Sequence, residues 1–530
     1  MSPTRAQRLE GLERIACCSD VKLFFLVSGS RMFLLLLMLF LRVALPHIYG
    51  TELLWDSGTL LYDDMNSTWS LLNFPRSWDG VHFFHVAKHG YSHENVCAFF
   101  PLVPFIVRTV SWLNDVLLPE FLTAVPVTFQ VALLNVAMGG AAAICLRRIT
   151  ILTLLSGSHG VDYTNKKGKV MSMTSGTWLD SLPLPPPYYR HEVTVKEHLN
   201  ARLWKEVGAT VLMWMLSPTA VFSVVLYTES VFSFATFLGV YMLIVSPQGK
   251  WRTAAAEAGA VLCFAVAGCA RSNATTYIGF VLYPVFLQVF FFDTYRKRYA
   301  KRYGVASPIR RWPSLARGVI VLIEVVIIIT PYLGLNYLCY SRFVPLWDDM
   351  SRAAIGGRFW AFYGWMQKRY WNVGFLQSYR WGNAPNVLIS APIMFFTVRG
   401  FVLFIVQPAL ARSMETESNI SKEYQGPRSD CREDRCGNKK QRLFSIYKLM
   451  ENLVQSSNII CLLVILAFGA TMAHVNVVNR LVMSSPALYW LWGRQFVCDP
   501  WGGNTVVMVR IFLLWNCIGA LFVPNGLPWT

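Results

Sequence analysis

The chain has 530 residues, of which 54% are hydrophobic, 14% aromatic and 15% charged, and its formal net charge is +18. That balance excludes a soluble globular domain. The basic surplus does not indicate a nucleic-acid binder either, because the cations fall in a few stretches between apolar runs instead of along one face.

Apolar runs close to the ~20 residues that cross a bilayer recur along the chain. They are Val21–Leu45, Val125–Leu146, Trp204–Phe222, Leu226–Val245, Ala254–Ala270, Thr275–Phe292, Leu315–Leu338, Val387–Leu410, Val454–Ala473 and Val506–Val523. The pattern predicts an all-α polytopic membrane protein with about ten transmembrane helices. The first run is long and lacks a small-residue cleavage site, so it reads as a signal anchor.

Sidedness follows from the basic loops. TYRKRYAKRYGVASPIRRW (Thr294–Trp312) and RSDCREDRCGNKKQRLF (Arg428–Phe444) fit cytoplasmic loops under the positive-inside rule. Counting helices outward from Thr294–Trp312 then places the N-terminal tail (1–45 with its helix), the polar 150–200 region and the 411–450 region on the cytoplasmic side. The loop from 46 to about 123, Tyr227–Ser230, Arg271–Thr275, the 341–384 loop and His474–Asn504 fall on the opposite, luminal side. Between these loops lie a bundle over 124–340 and C-terminal helices over 385–530. For this parity to hold, AFFPLVPFIVRTVSWL (Ala98–Leu113) lies in the interface or re-enters, which its two prolines and Arg108 allow. Asn66-Ser67-Thr68 is a glycosylation sequon on the luminal side, and Ser181–Tyr189 is a proline-rich spacer. The twelve cysteines show no spacing that would hold zinc, and Cys431 and Cys436 are expected as free thiols.

Just past the first apolar run stands SWDGVHFFHVAKHGY (Ser77–Tyr91). His82, His85, His89 and His93 recur every three or four residues, a spacing that could line up metal ligands on a helix. Gly90 interrupts it, however, and no ligand-rich partner segment is in view, so no metal is assigned. Asp79 suits a helix N-cap, and equally suits a general base that takes a proton from a hydroxyl attacking a carbon with a good leaving group. If that leaving group is a phosphate, no general acid is needed, and cations holding the phosphate suffice. Glu229, Arg271, Asn273 and Arg480 all fall at membrane ends on the side that holds Asp79. Ionisable groups there are costly unless they line a cavity or bind something, although any one of them could instead cap a helix or snorkel.

WDGVHFFHVAKHGYSHENVCAFFPLVP (Trp78–Pro104) resembles the luminal signature of the PIG-V family of mannosyltransferases. SPTAVFSVVLYTESVFSF (Ser217–Phe234), ARSNATTYIG (Ala270–Gly279), YWNVGFLQSYRWGNAPNVLISAP (Tyr370–Pro392) and HVNVVNRLVMSSPALYW (His474–Trp490) are similar to the later blocks of that family, in order. The resemblance implies a GT-C fold in the endoplasmic reticulum membrane. It implies transfer of the second mannose, through an α1,6 link, from dolichyl-phosphate mannose to a mannosyl-glucosaminyl-phosphatidylinositol, the GPI precursor. A β-linked donor and an α product imply inversion by a single displacement, by analogy with the two routes of glycoside cleavage, with no metal or other cofactor. By position the resemblance assigns Asp79 as base, with His82 and Glu94 orienting it or the acceptor. It also assigns Arg271 and Arg480 to the donor phosphate, for which arginine's planar fork is suited. Glu229, Asn273, Tyr370, Trp371 and Asn386 then line the substrate site. The chain departs from the family in reading SNA where Asn-Gly is common and in its long polar loops at 150–200 and 411–450. The need for a small membrane partner subunit stays open. The alternatives are another dolichol-dependent mannosyltransferase of the same fold, which the Trp-Asp and YWNVGF blocks argue against, and a lipid transporter, which would place its polar residues near the midplane in paired halves.

Overall fold

The computed structural model describes residues 5–45, 70–117, 125–158, 201–245, 250–293, 295–296, 311–408, 456–474 and 477–525. The sequon at Asn66, the proline-rich spacer, Cys431, Cys436 and most of the basic loops lie outside the described residues. Among the described residues every regular element is helical. In chain order the helices are α1 (Arg5–Cys17), α2 (Asp20–Ala44), α3 (Asp79–His89), α4 (Leu102–Leu117), α5 (Val127–Ser158), α6 (Ala201–Met215), α7 (Glu229–Ile244), α8 (Lys250–Gly268) and α9 (Ile278–Phe290). There follow α10 (Leu315–Phe343), α11 (Asp349–Ile355), α12 (Phe362–Trp371), α13 (Ala384–Phe401), α14 (Ser457–Thr471), α15 (Val478–Val482), α16 (Pro486–Cys498) and α17 (Gly503–Phe522).

Six helical spans are long and apolar enough to cross a membrane, and Glu229–Ile244, Ala254–Gly268 and Ser457–Thr471 are shorter apolar helices. Each apolar run of the sequence falls on one of these helices or on α6, which makes the chain a multi-pass membrane protein. The helices pack around one large core with Tyr489, Trp490 and Trp492 at its centre. Small residues let the backbones meet: a Cβ on Gly493 of α16 would come within 2.8 Å of the Thr210 amide nitrogen in α6.

Two departures from the hydropathy reading shape the site. The run Trp204–Phe222 is not one helix. α6 stops at Met215, and the chain continues as turns and a short 3-10 segment, buried from Ser217 onward, until α7 begins at Glu229. Backbone freed inside a bilayer must find partners within the protein, and here side chains supply them. Arg31 from the middle of α2 donates to the carbonyls of Trp214 (2.8 Å) and Met215 (3.4 Å), at the negative end of the α6 dipole. Asn516 donates to Ser217 O (2.9 Å), and Asn135 to Val225 O (2.6 Å) and Tyr227 O (3.2 Å).

The second departure is a correction. His474–Asn504 does not remain at one end of the bundle, because α16 runs back down through it. Trp490 Nε1 donates to Thr150 Oγ1 (2.9 Å), Arg494 faces Glu206, and Gln495 accepts from Arg399 (2.8 Å). Thr150 and Glu206 belong to the end of the bundle opposite Asp79, where α2 begins and Asp20 pairs with Arg147 and Arg148. A 13-residue helix carrying Arg494 and Gln495 escapes a hydropathy window, yet it is buried on nearly all sides. α17 then returns to the Asp79 end, where Asn525 accepts from Arg42 (3.4 Å).

α4 takes up most of the Ala98–Leu113 run and is amphipathic. Val103 and Val107 are buried against α3 and α5, while Phe105, Trp112 and Leu117 are exposed on its other face.

Candidate functional site

The site is assembled from four separate stretches at one end of the bundle. Asp79 is the first residue of α3, and Trp78 before it holds φ at +54°, a left-handed conformation that costs energy for a bulky residue. The turn is locked from both sides. Leu226 N donates to Pro75 O (2.9 Å), Asp79 N donates to Tyr227 Oη (3.2 Å), and a Cβ on Gly80 would meet Pro75 O at 2.9 Å. The broken stretch after α6 therefore carries Tyr227 up to the backbone of the Trp78-Asp79 turn.

Glu229 opens α7. With 16 residues that helix is about 24 Å long, short of the ~30 Å hydrocarbon core, so its first residue can lie below the membrane surface. The positive end of the helix dipole favours a carboxylate there. Glu229 Oε1 accepts from Arg271 Nη1 (3.0 Å) and from Arg480 Nε (2.5 Å), and Arg480 Nη1 reaches Asp79 Oδ2 (2.7 Å). The four charges form a line, Asp79, Arg480, Glu229, Arg271, with two of each sign. Glu229, Arg271 and Arg480 keep only 5%, 11% and 10% of their side-chain surface exposed, whereas Asp79 keeps 34%. Aromatic faces back the cations: Arg480 lies 4.7 Å from the Tyr227 ring centre and 5.1 Å from that of Phe222, and Arg271 lies 5.6 Å from that of Phe232. Glu229 Oε1, shared by both arginines, joins the two opposite-charge pairs and offsets part of the cost of burying them. The accessible end of the line is the Asp79 carboxylate.

Buried and half-buried polar groups extend the site. Thr236 Oγ1 donates to Tyr277 Oη (3.0 Å), which donates to Ser484 Oγ (3.0 Å), and Ser272 Oγ donates to Tyr363 Oη (3.2 Å). Asn273 follows Arg271 by two residues and is buried. His82 stands one turn beyond Asp79 with its ring stacked on Phe99 at 4.5 Å.

The structure does not bring every sequence candidate to this line. Glu94 takes part in a second cluster, where Trp347 Nε1 donates to its Oε2 (3.2 Å), Arg369 lies 3.8 Å from its Oε1 and Tyr370 hydrogen-bonds to it. Burial raises the Glu94 pKa, and Arg369, Trp347 and Tyr370 oppose that rise. Trp347 stacks on Trp365 at 3.9 Å, and Arg369 sits 4.9 Å from the Trp365 ring centre. Close by, Cys97 and Cys339 form a disulfide across 242 residues, tying the 79–100 segment to the end of α10. Trp371 is half exposed beside Tyr370, and Asn386 lies in the first turn of α13. Nothing in the spacing of the cysteines pointed to the disulfide, and Tyr227 stood out only as part of the LYTES block.

The histidines make contacts of another kind. His85 Nε2 and His93 Nδ1 both meet Ser92 Oγ, at 2.5 and 2.8 Å, and the His85 and His89 ring centres are 5.0 Å apart. Burial, and after it His89, His93 and His82, push His85 down to about 4. Among the described residues no three His, Cys, Asp or Glu side chains converge as metal ligands.

The chain matches the family profile described as mannosyltransferase (PIG-V) over residues 19–162 and 198–530. It is 22% identical to the GPI mannosyltransferase 2 of Drosophila pseudoobscura pseudoobscura over 86% of each chain. It is 23% identical to the GPI alpha-1,6-mannosyltransferase 2 of Cricetulus griseus, over 78% of this chain and 71% of that one. It is 26% identical to the GPI mannosyltransferase 2 of Yarrowia lipolytica, over 58% and 62%. No solved structure matches the chain. With a profile match that spans nearly its whole length, and with the Trp-Asp turn, the LYTES block and HVNVVNR meeting at one charged line, the chain belongs to the PIG-V mannosyltransferase family.

Proposed function

We propose that this protein transfers the second mannose of the GPI anchor, in α1,6 linkage, from dolichyl-phosphate mannose to a mannosyl-glucosaminyl-phosphatidylinositol, within a GT-C fold and on the luminal side of the endoplasmic reticulum membrane. The observation that carries it is the Asp79–Arg480–Glu229–Arg271 line in a chain of this family. It combines one accessible carboxylate with two arginines at a membrane end, which suits a displacement at a sugar carbon that bears a phosphate.

Asp79 accepts the proton of the attacking acceptor hydroxyl. The hydroxyl oxygen bonds to the anomeric carbon as its bond to the phosphate oxygen breaks, the pair of electrons leaves on dolichyl phosphate, and the β donor becomes an α product. The order of the line separates the roles. Asp79 and Arg271 stand at opposite ends, as base and phosphate must on opposite faces of the sugar, and Arg480 between them can hold either. An incoming phosphate competes with the two carboxylates for these cations, so donor binding loosens the tie between Arg480 and Asp79. His82, one turn away, is placed to orient the acceptor. The Cys97–Cys339 disulfide supports the luminal assignment, because disulfides persist in oxidising compartments.

The test is a lipid-glycan profile. Cells lacking the protein should accumulate the one-mannose precursor and lose surface GPI-anchored proteins, and re-expression should reverse both. Accumulation of a different precursor would sink the assignment of the second mannose.

A further inference from the structure

Buried polar side chains are almost always hydrogen-bonded, so the exceptions point to something that completes them. At the two arginines of the charged line such exceptions cluster. Asn273, two residues from Arg271, is 8% exposed, and Asn479, next to Arg480, is 1% exposed. In both side chains neither the amide nitrogen nor the amide oxygen meets a hydrogen-bond partner among the described residues, and the same holds for Glu229 Oε2 between the two arginines. Asn273 sits on the short helix that α9 continues and Asn479 on α15, so two separate elements each bring one bare carboxamide to the same end of the bundle.

We propose that Asn479, together with Asn273, reads a pair of hydroxyl groups on the sugar being transferred, and so sets which sugar the enzyme accepts. The chemistry of the groups decides the ligand class. A carboxamide offers donors on nitrogen and an acceptor on oxygen. A phosphate only accepts, so it would satisfy the nitrogens and leave both oxygens bare. A hydroxyl donates and accepts, so two hydroxyls give both the nitrogen and the oxygen of each carboxamide a partner. Glu229 Oε2 adds one further acceptor for a hydroxyl proton. The transferred sugar, joined to the phosphate that the arginines hold, is the part of the donor placed beside residues 273 and 479. The inference rests on the reading of the charged line as the donor site.

The experiment uses the full-length enzyme in membranes, with dolichyl-phosphate mannose and its 2-, 3-, 4- and 6-deoxy analogues as donors. A site built to bond a hydroxyl strongly rejects the analogue that lacks it. The wild type should therefore lose on the order of 100-fold or more in transfer efficiency for at least one analogue. Asn479→Leu should lose a comparable factor on the natural donor, and removing the same hydroxyl should then cost it less than about threefold more, which is the non-additivity of groups in contact. Asn479→Asp keeps the shape and the acceptor but not the donors, so it runs the same series if the leucine variant does not accumulate. Fully additive losses at every position, or wild-type transfer of the natural donor by either variant, would overturn the proposal. A misassigned donor site would show separately, as an unchanged apparent KM for dolichyl-phosphate mannose in Arg271→Lys.

Discussion

Asp79 and Glu94 are fifteen positions apart, both on the segment that follows the first membrane helix, and both are candidates for acid-base work on sequence grounds. The fold sends them to different places. Asp79 begins a helix, keeps a third of its side chain open and ends a line of charges that continues into the bundle. Glu94 is held by an indole N–H and an arginine from the 344–371 region, next to a disulfide that fastens the same two segments. One carboxylate is open to its surroundings at the end of a chain of buried charges. The other fastens two loops of the protein to each other. A carboxylate near a motif is thus weak evidence for catalysis until its partners are known: Asp79 pairs with Arg480, a cation that a phosphate could take over, and the partners of Glu94 hold two loops together.

The largest effects should fall on the charged line. Cells that depend on Asp79→Asn should accumulate the one-mannose precursor as the deletion does, and full restoration of surface GPI proteins at native expression would remove Asp79 as the base. Arg480→Ala deprives Asp79 and Glu229 of their shared partner, so it should lower the rate about 100-fold or more and also weaken donor use, since truncating one member of a buried pair strands the others. Arg271→Lys, which loses the planar fork but keeps the charge, should raise the apparent KM for dolichyl-phosphate mannose about tenfold with a smaller change in kcat. An unchanged donor KM would move the phosphate elsewhere.

The Glu94 side should respond in stability more than in chemistry. Cys97→Ser should lower the thermal midpoint in detergent, since a bridge of this kind is typically worth about 2–4 kcal/mol, while transfer at low temperature stays within about tenfold of wild type. A loss as deep as that of Asp79→Asn would mean the two clusters act as one. The smallest effect concerns pH. His85 ionises at about 4 in the fold, against 6.5 for an unperturbed histidine. The folded state therefore binds fewer protons than the unfolded one between these values, and stability is full above 6.5 and is lost as pH falls toward about 4. Protection of the amides over residues 79–93, taken relative to the intrinsic exchange rate at each pH, should fall across that window in the wild type and much less in His85→Gln.

Much of this architecture was legible in the sequence. The apolar runs fall on helices apart from the broken Trp204–Phe222, and Asp79, Glu229, Arg271 and Arg480 do converge at one end. What the sequence hid depends on partners that only the fold supplies. Helix α16 carries Arg494 and Gln495, which read as loop residues until Glu206 and Arg399 are seen opposite them. The break after Met215 is invisible to hydropathy because the residues that satisfy it, Arg31, Asn135 and Asn516, come from three other helices. Cys97 and Cys339 are too far apart along the chain for spacing to pair them. Asn479 stands beside Arg480 in HVNVVNR, and only its burial with no hydrogen-bond partner among the described residues singles it out.

The most direct test compares the two carboxylates in one assay: single-turnover transfer of mannose by Asp79→Asn and Glu94→Gln, in membranes with matched protein levels and saturating donor. The rate should fall on the order of 1000-fold or more for Asp79→Asn, about 4 kcal/mol of transition-state stabilisation, and less than tenfold for Glu94→Gln. Equal losses, or a deeper loss at Glu94, would contradict the assignment of the chemistry to the Asp79–Arg480–Glu229–Arg271 line.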